Sequence, residues 1–134
     1  MASTWNGTES DRMLGMLRHI AVCLVRRDGP DLSCRQLGVF LTCYHHQEKQ
    51  TVRGLATQLR VSKPAITRAL DRLGELELTR RKTDPTDRRS VLVARTVKGY
   101  AFLNELRHMM ADHAEQADLP QVAVRYRNDR NARL

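Results

Sequence analysis

The clearest structural signal in this chain of 134 residues is the sequence RVSKPAITRALDRL at residues 60–73. Ser62 is a good helix N-cap, because its hydroxyl can accept a hydrogen bond from a free backbone N–H of the next turn. Pro64 falls in that first turn, where its missing N–H costs nothing. Apolar residues then recur at helical spacing, which predicts a helix with a packed back and a basic, hydrogen-bonding front. The front carries Lys63, Ala65, Thr67, Arg68 and Arg72.

A second short helix is predicted just before the first, at residues 51–59, which read TVRGLATQL. Only Arg60 and Val61 separate it from Ser62, and two helices joined by so short a turn must cross steeply. This is the pattern of a helix-turn-helix, whose second helix enters the major groove of DNA. Ser62 and Lys63 at the start of that helix are expected to meet phosphate.

Base contacts are expected further along the same helix. Arg68 and Arg72 can each grip guanine with two hydrogen bonds, while the methyl groups of Ala65 and Thr67 can contact thymine. The alternative is that these residues are ordinary solvent-facing side chains, and the hairpin that follows them favours DNA binding.

Two strands are predicted after the helix-turn-helix, at residues 78–83 and 90–96, around a turn-forming tip with the sequence DPTDRR. A helix-turn-helix followed by a two-stranded basic hairpin is a winged helix. The tip places Arg89 first, and Arg88 second, as candidates to enter a narrow minor groove. Arg80 and Arg81, with Lys82, are expected phosphate contacts, although one face of their strand should pack against the core.

Three tracts resemble the multiple-antibiotic-resistance regulator (MarR) family. They are the spaced residues Val61-Ser62, Thr67-Arg68 and Asp71-Arg72-Leu73, the wing sequence DPTDRRS at 84–90, and TVKG at 96–99. The wing is the most diagnostic of the three, and the resemblance covers about half of the chain.

The resemblance implies a homodimeric transcription regulator, usually a repressor, that binds a pseudo-palindromic operator and is released by a small-molecule effector or an oxidant. It also implies a prokaryotic, nucleoid-associated protein of the cytoplasm. In the family pattern, the aspartate and the second arginine of the wing motif are paired, so Asp87 is expected to orient Arg89.

Composition supports a nucleic-acid partner. The formal net charge is +8, and the aromatic fraction of 4% leaves one core built mainly from aliphatic side chains. Residues 60–99 hold eleven basic groups against five acidic ones, a local excess of +6 that makes up most of the whole charge. Such a concentration indicates a binding face for a polyanion, with DNA far ahead of an anionic membrane surface.

The flanking regions predict a mainly α (α+β) single domain that dimerises. We expect supporting helices at residues 10–46, the winged helix at 51–96, a dimerisation helix at 97–117 and a flexible basic tail at 118–134. The outer helices have wider apolar faces than one small winged helix needs. A two-fold dimer would bury them and place two recognition helices about one DNA turn, roughly 34 Å, apart.

The cysteines and histidines are the residues of this chain that could carry redox or metal chemistry. Three cysteines, an odd number, suit a reducing cytoplasm. Cys34 follows the predicted N-cap Ser33 and precedes Arg35, where a thiolate would be favoured, so it is the candidate redox residue. Inert packing is the favoured alternative. The five histidines have no chelating spacing, so no metal is expected.

Several other classes of protein are disfavoured. No catalytic motif appears, so neither an enzyme nor a cofactor site is expected. No apolar run is long enough to cross a bilayer, and the first residues lack the apolar segment of a signal peptide. Two rival functions stay open: a nonspecific architectural DNA-binding protein, favoured by the charge and the arginine-rich end, and a winged-helix module that binds another protein.

Overall fold

The computed structural model describes residues 7–118, with the side chains of residues 7–115. The elements in chain order are α1 Glu9–Arg26, α2 Cys34–His45, β1 Gln50–Thr51, α3 Val52–Leu59, α4 Lys63–Glu75, β2 Thr79–Thr83, β3 Val91–Arg95 and α5 Val97–Asp118. The predicted tail therefore lies outside the described residues from 119 onward. No helix in the described range is long and apolar enough to cross a bilayer.

The described chain forms two compact units. One is Pro30–Asn104, which contains α2 to β3 and the start of α5. The other combines α1 with the part of α5 that begins at Glu105. The mainly helical prediction with a winged helix is confirmed.

The sheet has three antiparallel strands rather than the predicted two, in the order β1-β3-β2. The hairpin of β2 and β3 pairs Thr79 with Arg95 at its base and Thr83 with Val91 near its tip. The additional strand, β1, consists of two residues that pair with Val93 and Leu92. Two residues are too few to show the alternation that identifies a strand in a sequence.

The core of the Pro30–Asn104 unit lies where α2, α3 and α4 meet the sheet. Phe40 is fully buried and packs its ring 4.5 Å from that of Tyr44 and 5.0 Å from that of Phe102, measured between centroids. The other fully buried large side chains are Val39, Leu55, Ile66, Leu70 and Leu73. Burial of this aliphatic and aromatic surface fixes α4 against the rest of the unit.

The turn between α3 and α4 confirms the predicted helix-turn-helix. α3 ends at Leu59 and is followed by its C-cap Arg60, whose left-handed backbone (φ 55°) reverses the chain without a glycine. The next N–H, of Val61, donates to the carbonyl of Ala56 over 3.1 Å. Ser62 then caps α4, since its hydroxyl accepts from the N–H of Ala65 at 3.3 Å.

In the other unit, helix α1 also begins with a capping side chain. Thr8 and Asp11 form a reciprocal capping box, with hydrogen bonds of 3.1 Å and 3.2 Å between side chain and backbone. Arg27 pairs with Glu105 at 3.2 Å. None of the 18 residues of α1 is buried, although its sequence is amphipathic.

Candidate nucleic-acid interface

The exposed face of α4 is set by the residues that α4 buries. Ala65, Ile66, Ala69, Leu70 and Leu73 form its buried side. The opposite side presents Lys63 and Arg68, both exposed, and Thr67, which is half-buried. The Thr67 hydroxyl donates to the carbonyl of Lys63 over 3.1 Å, so it is already engaged within the helix.

The predicted placement of Ala65 on the front of the helix is wrong. Its side chain is only 6% exposed and lies on the packed side, next in sequence to fully buried Ile66. The error is one of helical phase: a small residue between Lys63 and Thr67 can fall on either edge of the apolar stripe. Ser62 remains exposed, with its hydroxyl occupied by the cap.

Two of the predicted arginines are ion-paired with carboxylates of α4. Arg72 contacts Glu75 at 3.1 Å along the same helix. Arg81 comes from β2 and contacts Asp71. Lys63 and Arg68 have no such partner among the described residues.

The wing tip is closed by short-range hydrogen bonds. Asp84 accepts from the backbone N–H of Thr86 at 2.9 Å and from its hydroxyl at 2.7 Å. These two bonds hold the pKa of the Asp84 carboxyl below its usual value, and the bond from the Thr86 hydroxyl has the larger effect. The N–H of Ser90 donates to the carbonyl of Asp87 at 2.9 Å and completes the turn. The tip is thus preformed.

Arg88 and Arg89 project from this tip. Both are exposed, and neither forms an ion pair within the described part of the chain. Asp87 does contact Arg89, but its carboxylate accepts from the backbone N–H, at 3.1 Å, rather than from the guanidinium. Asp87 therefore orients the peptide that carries Arg89.

The three consecutive cations on β2 are all exposed, although one face of that strand was expected to pack. Only Thr79, at the base of β2, is buried. Arg81 lies opposite buried Val93 in the register, so it stands on the face that carries the core, whereas Arg80 and Lys82 stand on the other face. Arg80 and Arg81 therefore stand on opposite faces of the strand.

A hollow of about 210 Å³ lies where α3, α4 and the wing come together. Four cations line it: Arg53, Lys63, Arg81 and Arg89. Arg53 was not predicted as a site residue. Its position in the first turn of α3 was the available signal, but only the fold brings that turn beside the wing.

The comparisons with known proteins agree with this geometry. The sequence model of the MarR family matches residues 35–91, which span α2, the helix-turn-helix and the wing up to the start of β3. Residues 35–91 belong to the MarR family. The matched residues include every residue predicted to contact DNA.

A curated relative supports the same assignment. This chain is 32% identical over 78 residues to the HTH-type transcriptional regulator MhqR of Bacillus subtilis. The match covers 58% of this chain and 52% of the relative, so it spans about half the length of that protein.

Solved structures of MarR-type regulators show the fold. A MepR mutant from S. aureus superposes with a TM-score of 0.68 at 19% identity, covering 94% of both chains. Another MepR mutant, bound to an oligodeoxyribonucleotide, gives 0.64 at 15% identity over 92% of this chain and 87% of its own. Wild-type MarR from E. coli gives 0.60 at 23% identity over 91% and 90%.

A basic residue just beyond the region matched by the family model stabilises the fold. Arg95 at the end of β3 donates through Nε to the carbonyl of Cys43 at 3.0 Å and also contacts the carbonyl of His46. These carbonyls belong to the last turn and cap of α2, where a cation is favoured by the helix dipole. Arg95 therefore stabilises the C-terminal end of α2.

The cysteines differ in their surroundings. Cys34 is exposed in the first turn of α2, after the N-cap Ser33. Cys43 is buried, and burial raises the pKa of its thiol to about 11. Cys23 is half-buried, with its Sγ 3.5 Å from Nε2 of His19. Among the residues that the structure describes, no group of three or more His, Cys, Asp or Glu side chains could hold a metal ion.

Proposed function

We propose that this chain is a sequence-specific DNA-binding transcription regulator, acting as a repressor. The observation that carries the proposal is the placement, on two adjacent projections of one unit, of cations that form no ion pair with any described residue. Lys63 and Arg68 stand on α4, and Arg88 and Arg89 stand on the wing tip. A helix-turn-helix with this charge distribution fits a major groove flanked by a minor groove.

The contacts divide into base readout and phosphate anchoring. Arg68 is exposed and Thr67 half-buried in the middle of α4, where base edges would lie against the guanidinium and the threonine methyl group. Lys63 stands at the N-terminus of α4, which favours phosphate. Arg89, and then Arg88, enter the minor groove, where negative potential attracts arginine. Ala65 is left out because it is buried.

We also infer that the active form is a homodimer. On α1, Met13 is 64% exposed, Leu17 63% and Val25 77%. Apolar surface on this scale is what a two-fold interface buries, and such an interface presents two recognition helices to one pseudo-palindromic operator. Dimerisation would therefore cover the apolar side chains of α1 that the described residues of one chain leave exposed.

The comparisons support this function. One relative is described as an HTH-type transcriptional regulator, and one structural neighbour is bound to an oligodeoxyribonucleotide. A regulator of this type acts in the bacterial cytoplasm, on the nucleoid, and has no catalytic role. A small-molecule effector would release it only by binding the DNA-competent and DNA-incompetent states with different affinities.

The proposal is tested by selecting bound duplexes from a random DNA pool with the full chain and footprinting the enriched sequence. We expect a two-fold symmetric site with protection spaced by about one helical turn. Binding without enrichment of any motif would instead support the architectural alternative, which the net charge of +8 favours. Absence of DNA binding at moderate salt would indicate the protein-binding alternative.

A further inference from the structure

Asp71 places a negative charge in the middle of the exposed face of α4. It lies three residues after Arg68 and four after Thr67, so the three share one side of the helix. Its side chain is 51% exposed. A carboxylate in this position would repel the DNA phosphates that the neighbouring cations attract, unless a cation accompanies it.

The accompanying cation comes from the wing. Arg81 of β2 forms the ion pair with Asp71 and is itself 37% exposed. Because Arg81 faces the same side of the sheet as buried Val93, its side chain extends from the hairpin toward α4. The pair is therefore a direct side-chain link between the recognition helix and the strand that leads to Arg88 and Arg89.

The link has little effect on the stability of the fold. Exposed ion pairs contribute little to the free energy of folding, because solvent screens them and side-chain entropy opposes them. Its larger consequence is geometric. Base readout requires α4 and the wing tip to engage their grooves together, whereas attraction to phosphates requires only positive charge.

We propose that Asp71 is a specificity-determining positioning residue: through its ion pair with Arg81 it holds the wing in register with the recognition helix. Removal of the pair leaves both DNA-binding projections intact but lets the wing shift relative to α4. The protein then keeps its affinity for DNA in general and loses discrimination. The inference rests on the proposed function.

The test compares Asp71→Asn with Glu75→Gln. Each substitution removes one carboxylate from α4 and frees one arginine, but the partner of Glu75 is Arg72 on the same helix. Affinities are measured for the enriched duplex and for a random duplex over a range of salt concentrations. Both variants should bind random DNA more tightly. Only Asp71→Asn should lower the operator-to-random affinity ratio relative to the wild type, by about fivefold.

A third variant, Arg81→Gln, distinguishes the effect of losing the ion pair from the effect of changing the net charge. It breaks the same ion pair as Asp71→Asn but changes the net charge in the opposite direction, so the salt dependence of binding should move oppositely in the two variants. The affinity ratio should nevertheless fall in both. Thermal unfolding of each variant confirms that it is folded.

The outcomes distinguish this inference from the proposed function. A wild-type ratio near one would overturn the proposed function itself. A large wild-type ratio that falls equally in Asp71→Asn and Glu75→Gln, or in neither, would overturn only the positioning role of Asp71. A ratio that rises in Arg81→Gln would do the same, since charge alone would then account for the result.

Discussion

The hydroxyl of Tyr44 donates a hydrogen bond to the carbonyl oxygen of Leu78 over 2.7 Å. The Tyr44 hydroxyl oxygen in turn accepts from the backbone N–H of Thr96 at 2.9 Å. One side chain from the end of α2 therefore joins the start of the hairpin to its end, where α5 begins. Gly99, in the first turn of α5, is buried against this junction. The junction sets the base of the wing.

Gly99→Ala should destabilise the protein. A Cβ at this position would overlap the Tyr44 hydroxyl and lie 2.5 Å from the carbonyl oxygen of Leu78, which is backbone and cannot move away cheaply. We expect a loss of about 1–3 kcal/mol in the free energy of unfolding, measured by urea denaturation. Gly38→Ala in α2 is the matched control, because its Cβ would meet nothing within 4 Å. The control should be neutral or slightly stabilising, and equal effects of the two substitutions would contradict the steric explanation.

Tyr44→Phe tests the hydrogen bonds of the same junction. The ring can keep its packing against Phe40, while the Leu78 carbonyl and the Thr96 N–H each lose a partner. Leaving such groups unsatisfied costs about 1–3 kcal/mol. Tyr100→Phe removes an exposed hydroxyl that accepts from Arg95 at 3.3 Å and should change stability by less than about 0.5 kcal/mol. A loss for Tyr44→Phe no larger than that of Tyr100→Phe would show that the junction does not depend on the hydroxyl.

The local signals in the sequence were sufficient for the helix-turn-helix and the wing. The cap at Ser62, the apolar spacing of α4 and the turn residues after Asp84 act over a few residues, and each appears in the structure as predicted. Features that depend on distant partners were missed. β1 exists because Gln50 meets Val93, and Arg53 joins the interface because α3 packs beside the wing.

In the candidate site, too, features set by local sequence could be predicted, and features set by distant partners could not. The exposure of Arg68, Arg88 and Arg89 could be predicted from helical phase and from the turn. Ala65 could not be placed, because a residue at the edge of an apolar stripe is assigned to one side or the other by packing. The ion pair between Arg81 and Asp71 joins residues on different elements, so only the fold reveals that these charges offset each other.

Arg89→Ala should weaken DNA binding and shallow the salt dependence. Removing one phosphate or minor-groove contact lowers the slope of log affinity against log salt by about one unit. Arg35→Ala removes the same charge from the exposed first turn of α2, outside the predicted interface, and should leave the slope nearly unchanged. Fluorescence anisotropy at several salt concentrations measures both. An unaltered slope in Arg89→Ala would remove Arg89 from the interface.

Alkylation should separate the exposed cysteine from the buried one. With a pKa of about 11, only about one thousandth of the Cys43 thiol is ionised at pH 8, and its burial also blocks access. Iodoacetamide should therefore modify Cys34 in the native protein and reach Cys43 only after denaturant is added. Mass spectrometry of the digested protein measures both sites. Modification of Cys43 at the native rate of Cys34 would show that α2 opens readily.

Low pH should destabilise the unit that contains α1 and the end of α5, because His19 becomes protonated there. Its ring lies 5.1 Å from that of His113, between centroids. Burial lowers the pKa of His19 from its ordinary value of 6.5, and the charge of His113 and then Arg18 lowers it further, against an opposing effect of Asp112. The unfolded chain therefore binds this proton more readily than the folded one.

The sign of the pH dependence follows from that difference. The stability contributed by neutral His19 is fully present above about pH 6.5 and is lost as the pH falls toward the lower pKa of the folded state. His19→Gln should lose less stability than the wild type between pH 7.5 and pH 5, as measured by urea denaturation at fixed protein concentration (~10 μM, to hold any dimer equilibrium constant). His108→Gln replaces an exposed histidine of α5 and should follow the wild type. If His19→Gln lost as much stability as the wild type, the acid sensitivity would have to come from groups other than this pair.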